Sequence, residues 1–248
     1  MSAPNLKIVH SRRWNSYAIT NTGRVRKHNE DSMLDRPEIG LWAVADGMGG
    51  HAKGDVASQM IVESLKNIRN TVSLPRFIDE IEDNILTVNK TLVEKARESA
   101  KKVTIGSTVV IFLTFDKYCV YIWAGDSRLY RLRQGKLQQV TTDHSQVEQY
   151  IEQGLISREE SIKHPHGNMI TRAVGATEEL FLDMDMQEIL PGDRFLLCSD
   201  GLTKHIPDLE IEQFLGKGTA QECCTQLINT TLERGAVDNV TSIIIDIE

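Results

Sequence analysis

Several runs of alternating apolar and polar residues are joined by connections too short for anything but hairpins. Residues 108–115 and 118–124 are separated only by Asp116-Lys117, and residues 128–132 and 136–140 by a link containing Gln134-Gly135. A parallel crossover needs about a dozen residues, so these neighbours must pair antiparallel. Further period-2 runs at 16–20, 40–45, 181–188, 194–199 and 240–247 also read as strands. Between the second and third strands, residues 55–67 carry apolar side chains at Val56, Met60, Ile61 and Leu65. Residues 76–101 carry them at Phe77, Ile81, Ile85, Val88, Leu92 and Ala96, close to the 3.6-residue period of a helix. Two more helices, near 209–215 and 220–234, precede the last strand. Regular βα alternation is absent, which predicts an α+β architecture with helices packed on the faces of antiparallel sheets.

No repeat and no Pro/Ser/Gly-rich linker interrupts the chain, so residues 1–248 are expected to form one domain, long enough to bury a core without disulfides or a structural metal. The polar, weakly periodic segment 143–168 is the exception to this regularity and reads as a mobile surface insertion. Cys119, Cys198, Cys223 and Cys224 form no C-x-x-C pair and read as reduced thiols. Residues 1–14 lack the apolar stretch of ~7–15 residues of a signal peptide, and no run approaches a membrane span. A cytoplasmic monomer is expected. The 28 Lys+Arg against 35 Asp+Glu, a net charge of −7, weigh against nucleic acid or an anionic membrane as partner.

The placement of particular acids is more specific. Asp46 follows the run 41–45, Asp126 follows Ile122-Trp123-Ala124-Gly125, Asp200 follows the run 195–199, and Asp238 stands just before the last strand. An acid at the end of a buried strand is costly to desolvate, and several brought together repel, unless a cation joins them. Asp46-Gly47, Gly125-Asp126 and Asp200-Gly201 each place the acid in a glycine turn, where a carboxylate or backbone carbonyl can approach an ion closely. An all-oxygen ligand set suits Mg²⁺ or Mn²⁺ rather than zinc. His164 and His166 flank Pro165 in the insertion and the other histidines are scattered, so no zinc site is expected.

Taken together, these residues resemble the metal-dependent serine/threonine protein phosphatases of type 2C in their compact bacterial form. The matching segments, in the family's order, are Arg26-Lys27-His28-Asn29-Glu30-Asp31, Ala45-Asp46-Gly47-Met48-Gly49-Gly50-His51, Thr104-Ile105-Gly106-Ser107-Thr108, Ala124-Gly125-Asp126-Ser127-Arg128, Thr171-Arg172-Ala173-Val174-Gly175, Leu197-Cys198-Ser199-Asp200-Gly201-Leu202 and Asp238-Asn239-Val240-Thr241. The resemblance implies a four-layer α-β-β-α sandwich, two antiparallel sheets flanked by helices, with a binuclear Mn²⁺/Mg²⁺ centre at one end. Asp46 resembles the carboxylate that bridges both ions, Gly47 the residue whose carbonyl binds one of them, and Asp200 and Asp238 the remaining direct ligands. Glu30 and Asp31 resemble acids that hold waters of the site or support it. Asp126 is similar to the residue that, with Asp200, binds a third ion in bacterial members, and Arg26 to the arginine that grips the substrate phosphate.

The implied reaction is hydrolysis of phosphoserine and phosphothreonine in proteins by one in-line displacement, with a water bridging two cations ~3.5–4 Å apart as nucleophile and no phosphoenzyme. Its implied setting is a bacterial cytoplasm, opposing a serine/threonine kinase and its targets. One departure concerns Met48, which stands where eukaryotic members commonly carry a histidine that protonates the leaving oxygen. Methionine has no proton to give, so a metal-bound water is the expected acid in preference to His51. The insertion 143–168 corresponds to the family's flap, which is thought to influence substrate choice. Asp143 and His144 open it as turn and helix-start residues.

Other signatures are weaker. Gly47-Met48-Gly49-Gly50-His51-Ala52 fits the dinucleotide fingerprint, but Asp46 would face the pyrophosphate and residues 66–70 lack the expected acid. Asp183-Met184-Asp185 has the D-x-D form of aspartate-nucleophile phosphatases, but reads as a strand with Leu182, Met184 and Met186 on one face and a wet face opposite. No cysteine is followed six residues later by the arginine of a cysteine phosphatase. A phosphatase-fold module that binds a phosphoprotein or kinase without turnover would be expected to have lost a metal carboxylate. Two divalent ions would bring the formal charge from −7 to −3 and a third to −1, so the acidic excess reads largely as an empty cation site.

Overall fold

The computed structural model describes residues 13–49, 53–69, 71–99, 104–161, 164–167 and 169–248. Alternation along the central strand β3 (Leu41–Met48) sets the layering. Leu41, Ala43 and Ala45 pack with Ile61, Ile81 and Ile85 of helices α1 (Gly54–Lys66) and α2 (Leu74–Glu98). Trp42 and Val44 point the other way, into a cluster with Phe112, Phe195 and Ile245. A strand buried on both faces must lie between two apolar layers, and these are the helices and a second sheet.

That second sheet runs in the order β1 (Trp14–Asn21), β11 (Val240–Ile247), β10 (Arg194–Cys198), β7 (Arg128–Arg133), β8 (Lys136–Gln139). The sheet containing β3 runs β2 (Asp31–Arg36), β3, β5 (Val109–Phe115), β6 (Tyr118–Ala124), β9 (Asp183–Glu188), with β4 (Gly106–Ser107) paired to β3. All the strand pairings are antiparallel. Helices α5 (Asp200–Thr203), α6 (Asp208–Leu215) and α7 (Ala220–Glu233) cover the outer face of the β1-β11-β10-β7-β8 sheet through Leu202, Ile211, Leu227 and Ile228. The expected four-layer sandwich is therefore present. Each fully buried Leu or Ile in these layers contributes about 1.5–3 kcal/mol. The cysteines are buried and unpaired, and among the described residues no helix is long and apolar enough to cross a membrane.

Several expectations need correction. Strand β3 does not stop at residue 45 but continues through Asp46-Gly47-Met48, because β2 and β4 supply partners there. Asp46-Gly47 is thus strand rather than turn. Asp200-Gly201 is also no hairpin, since it opens α5. Strand β2 escaped notice because Asp-Ser-Met-Leu-Asp-Arg is polar. It is an edge strand whose Asp35 accepts hydrogen bonds from Trp42 Nε1 (2.8 Å) and Ser16 Oγ (2.7 Å). On β9 neither face is dry, since Asp185 is exposed and Leu182 packs only partly against the helix-side core. Met184 and Met186 are exposed at the sheet edge, while Asp183 meets Arg172 and His144, Asp185 meets Tyr121 and Gln187 meets Arg131.

The described residues of the insertion 143–168 include regular structure that its sequence pattern did not predict. It holds α3 (Gln146–Glu152) and α4 (Arg158–Ser161), tied by Arg158 to Glu148 at 2.7 Å, and Ser145 bridges Ile170 to close its base. The helix cap is Ser145, whose Oγ accepts from Glu148 N, and neither Asp143 nor His144 has that role. Asp143 instead takes a forked hydrogen bond from Arg128. His144 Nδ1 accepts from Gly125 N at 3.1 Å.

Candidate active site

Because side chains alternate across a strand, Asp46 shares the face of Trp42 and Val44 and points into the layer between the sheets, where that layer meets solvent. Its direct partner across the β2/β3 pair is Asp31. Like charges opposite each other destabilise a sheet, so a counter-charge is required at this point. Asp126 follows β6, Asp200 opens α5 after β10, and Asp238 precedes β11, all at the same end of the sandwich. A cavity of about 500 Å³ is lined there by Glu30, Asp46, Gly47, Asp126, Asp200 and Asp238, with Arg26, Met48 and Lys204. The structure thus brings together all the candidate residues except Asp31, which lies just beneath. His51 lies outside the described residues. His164 and His166 come together, ring centres 5.4 Å apart, but in the flap and not in this cavity.

Two glycines are required by close approach. A Cβ on Gly47 would lie 2.1 Å from the Gly54 carbonyl oxygen and 2.5 Å from that of Glu30, so the backbone beside Asp46 can only be glycine. Gly125 has φ +117° and a Cβ there would lie 2.5 Å from Thr108 Cβ.

Burial and crowding raise most of these carboxyls. Burial, then Asp31 and Asp200, push Asp46 well above the usual carboxylate range. Burial, then Asp200, push Asp126 up to about 7. Asp31 is also raised to about 7 by burial, which outweighs the hydrogen bonds its Oδ2 accepts from Thr241 Oγ1 (2.7 Å) and Ser199 Oγ (2.8 Å). Burial raises Asp200 as well, against the opposing pull of Lys204. Asp238 alone goes down. Burial pushes it up, but Lys204 and Arg26 together outweigh that.

The donor set fits a divalent cation. Asp31 Oδ1 and Asp200 Oδ1 are buried and accept no hydrogen bond from any described residue. Orphaned carboxylate oxygens are costly, and a cation removes that cost. The oxygens of Asp46, Asp200 and Asp238 and the Gly47 carbonyl suit a hard ion such as Mn²⁺ or Mg²⁺. As they stand, though, no three His, Cys, Asp or Glu side chains among the described residues converge on one ion-binding point. Two cationic side chains sit among these acids. Arg26 forks onto Asp238, Nε to Oδ1 at 2.8 Å and Nη2 to Oδ2 at 3.0 Å. Lys204 Nζ lies 2.6 Å from Asp200 Oδ2 and 3.0 Å from Asp238 Oδ2.

Sequence reasoning missed Lys204, although its signal was available: a lysine four residues after Asp200 shares its helix face. It also missed Ser199, Thr241 and Thr108. The Thr108 hydroxyl accepts from Asp46 N at 3.1 Å and meets Ser127 Oγ at 2.7 Å, fixing the backbone that carries Asp46.

Comparison with known proteins follows the same lines. Residues 24–240 match the family model described as protein phosphatase 2C. A serine/threonine phosphatase, stp, of Listeria monocytogenes is 35% identical over 235 residues, spanning 92% of this chain and 93% of that protein. Among solved structures, PppA, a key regulatory component of T6SS in Pseudomonas aeruginosa, superposes with a TM-score of 0.87 at 39% identity, covering 95% of this chain and 98% of that one. The catalytic domain of the serine threonine protein phosphatase PstP, in complex with two manganese ions, superposes at 0.85 with 31% identity, covering 96% and 99%. A relative named PstP comes from Mycobacterium tuberculosis. On the family match, the identity over nearly the whole chain and the shared fold, this chain belongs to the protein phosphatase 2C family.

Proposed function

We propose that this protein is a single-domain Mn²⁺/Mg²⁺-dependent phosphatase, residues 1–248 with a flap at 143–168, that hydrolyses phosphoserine and phosphothreonine in proteins. The observation that carries this is the meeting of Asp46, Asp126, Asp200 and Asp238 in one solvent-open cavity, with a buried Asp200 oxygen left without a partner. The bacterial serine/threonine phosphatases it resembles, one of them solved with two manganese ions, support the same reading.

Asp46 would bridge two ions, with Asp200, Asp238 and the Gly47 carbonyl completing their protein ligands, and Asp126 with Asp200 offering a third position. When bound, such ions lower the pKa of a water toward neutrality and offset the charge of the phosphoryl group. Asp31 and Glu30 support the ligands from beneath and beside. Arg26 supplies the planar fork that fits two phosphoryl oxygens. Met48 lines the cavity and has no proton to donate, so a water held in the site is the proposed acid for the serine or threonine leaving oxygen. Among the described residues that line the cavity there is no serine, cysteine or histidine, and the proposed step is displacement of the alcohol by water, in line and without a phosphoenzyme. In the cell the substrates would be a serine/threonine kinase and its targets in a bacterial cytoplasm.

The test is hydrolysis of a phosphothreonine peptide in ¹⁸O-water with Mn²⁺. The expected result is phosphate carrying one solvent oxygen, with no acid-stable phosphoprotein in quenched single turnovers. Trapped phosphoprotein would overturn the single-displacement scheme. No hydrolysis under any divalent ion would favour a binding module instead.

A further inference from the structure

Lys204 occupies an unusual place for a lysine. Its backbone N–H bonds Asp200 O at 2.9 Å, one turn along α5, which sends its stem back into the cavity. Its ammonium then lies between Asp200 and Asp238, at 2.6 and 3.0 Å, with the charge of Asp126 also acting on it and only about a quarter of the side chain exposed. Asp238 is in effect saturated, because Arg26 takes both its oxygens and Lys204 takes Oδ2 again. Asp200 Oδ1 is left unpartnered. Among the described residues, the acids that should share an ion do not converge on one.

From this geometry we infer that Lys204 is a tethered counter-ion that competes with a divalent cation for Asp200 and Asp238. It stabilises the metal-free protein and weakens metal binding. The inference rests on the reading of those two acids as cation ligands. An ammonium is a single charge on a flexible four-carbon stem, so it can neutralise the pair in place and still withdraw when an ion of twice the charge arrives. A place to withdraw to lies alongside. Lys204 also borders a second cavity, about 590 Å³, whose walls include Asp126 and Asp208, together with Asp143 and Glu148, which Arg128 and Arg158 already hold. Leaving the ligands therefore does not strand the ammonium without an acidic neighbour. The site becomes a two-position switch, with the ammonium between the ligands when metal is scarce and beside the flap when metal is bound.

The experiment is Mn²⁺ titration by calorimetry of chelator-stripped wild type, Lys204→Met, Lys204→Gln and Lys204→Arg, together with thermal unfolding of the same metal-free proteins. Removing the competing charge that sits 2.6 and 3.0 Å from the two ligand oxygens should tighten Mn²⁺ binding about tenfold in Lys204→Met and Lys204→Gln. Their metal-free melting temperatures should fall by about 3–6 °C, since two carboxylates lose a partner. Lys204→Arg, which keeps the charge, should stay close to wild type in both measurements. Unchanged or weaker Mn²⁺ binding in both neutral variants overturns the inference. So does unchanged affinity with a raised KM for phosphopeptide, which would make Lys204 a substrate ligand. If neither wild type nor Lys204→Met binds Mn²⁺, the cation-site reading itself falls. Equal binding by both defeats only the competition.

Discussion

Replacing Asp126 by asparagine should stabilise the metal-free protein, although it removes a candidate ligand. Burial and the charges of Asp200 and Asp143 raise this carboxyl from 3.8 to about 7. A raised acid binds its proton more tightly folded than unfolded, so the penalty is absent below about pH 4. It grows as pH rises through the interval between the two values and is constant above about pH 7. At about 1.4 kcal/mol per unit the full penalty approaches about 4 kcal/mol. Water at the cavity mouth screens part of it, and a gain of about 2 kcal/mol is expected at about pH 8. For a domain of this size that raises the melting temperature by about 4–8 °C. Calorimetry of the stripped protein at about pH 4, 6 and 8 should show the difference between variant and wild type opening with pH. Excess Mn²⁺ should then close it, because a bound cation supplies the neutralisation that the substitution provides. A variant no more stable than wild type at about pH 8, or a difference indifferent to pH, would refute this account of the acid cluster.

Three further substitutions test separate parts of the site. Thr241→Val removes a hydroxyl that donates to Asp31 Oδ2 at 2.7 Å and should cost about 1–3 kcal/mol in urea unfolding. Gly125→Ala places a methyl 2.5 Å from Thr108 Cβ at φ +117°, and should lower both melting temperature and Mn²⁺-dependent activity through displacement of Asp126. Arg26→Lys keeps the charge but loses the fork, and kcat/KM for a phosphothreonine peptide should fall about 10–100-fold while Mn²⁺ affinity stays within a few fold.

What could be read from the sequence followed from strict periodicity. The segments 118–124 and 240–247 were delimited to the residue, since each is an apolar strand bounded by a turn or a charged residue. The acids at Asp46, Asp126, Asp200 and Asp238 stood out for a related reason, as each interrupts or borders an apolar run. Strand β2 was not legible, because its hydrogen bonds are made on one side only and its side chains are largely polar. Helix α3 was hidden by length, with only Val147 buried in it. The parity of β3 could have placed Asp46 between the sheets. Nothing local, however, announces that Asp31 lies opposite it, or that Ser199 and Thr241 reach Asp31 from the other sheet. Those contacts span 168 and 210 residues of chain and exist only once the two sheets have closed. The shared hold of Lys204 and Arg26 on Asp238 is a property of the assembled cavity.

The central claim is that carboxylates gathered at one end of the sandwich hold the cations that hydrolyse a phosphoester. Its most direct test is the rate of phosphothreonine-peptide hydrolysis as Mn²⁺ is titrated into stripped wild type and Asp46→Asn, with bound Mn²⁺ counted in the same samples. Activity should rise with Mn²⁺ occupancy in wild type and vanish in EDTA. Asp46→Asn should lose both activity and at least one bound ion. Hydrolysis that persists in EDTA, or in an Asp46→Asn protein with its Mn²⁺ count unchanged, would contradict it.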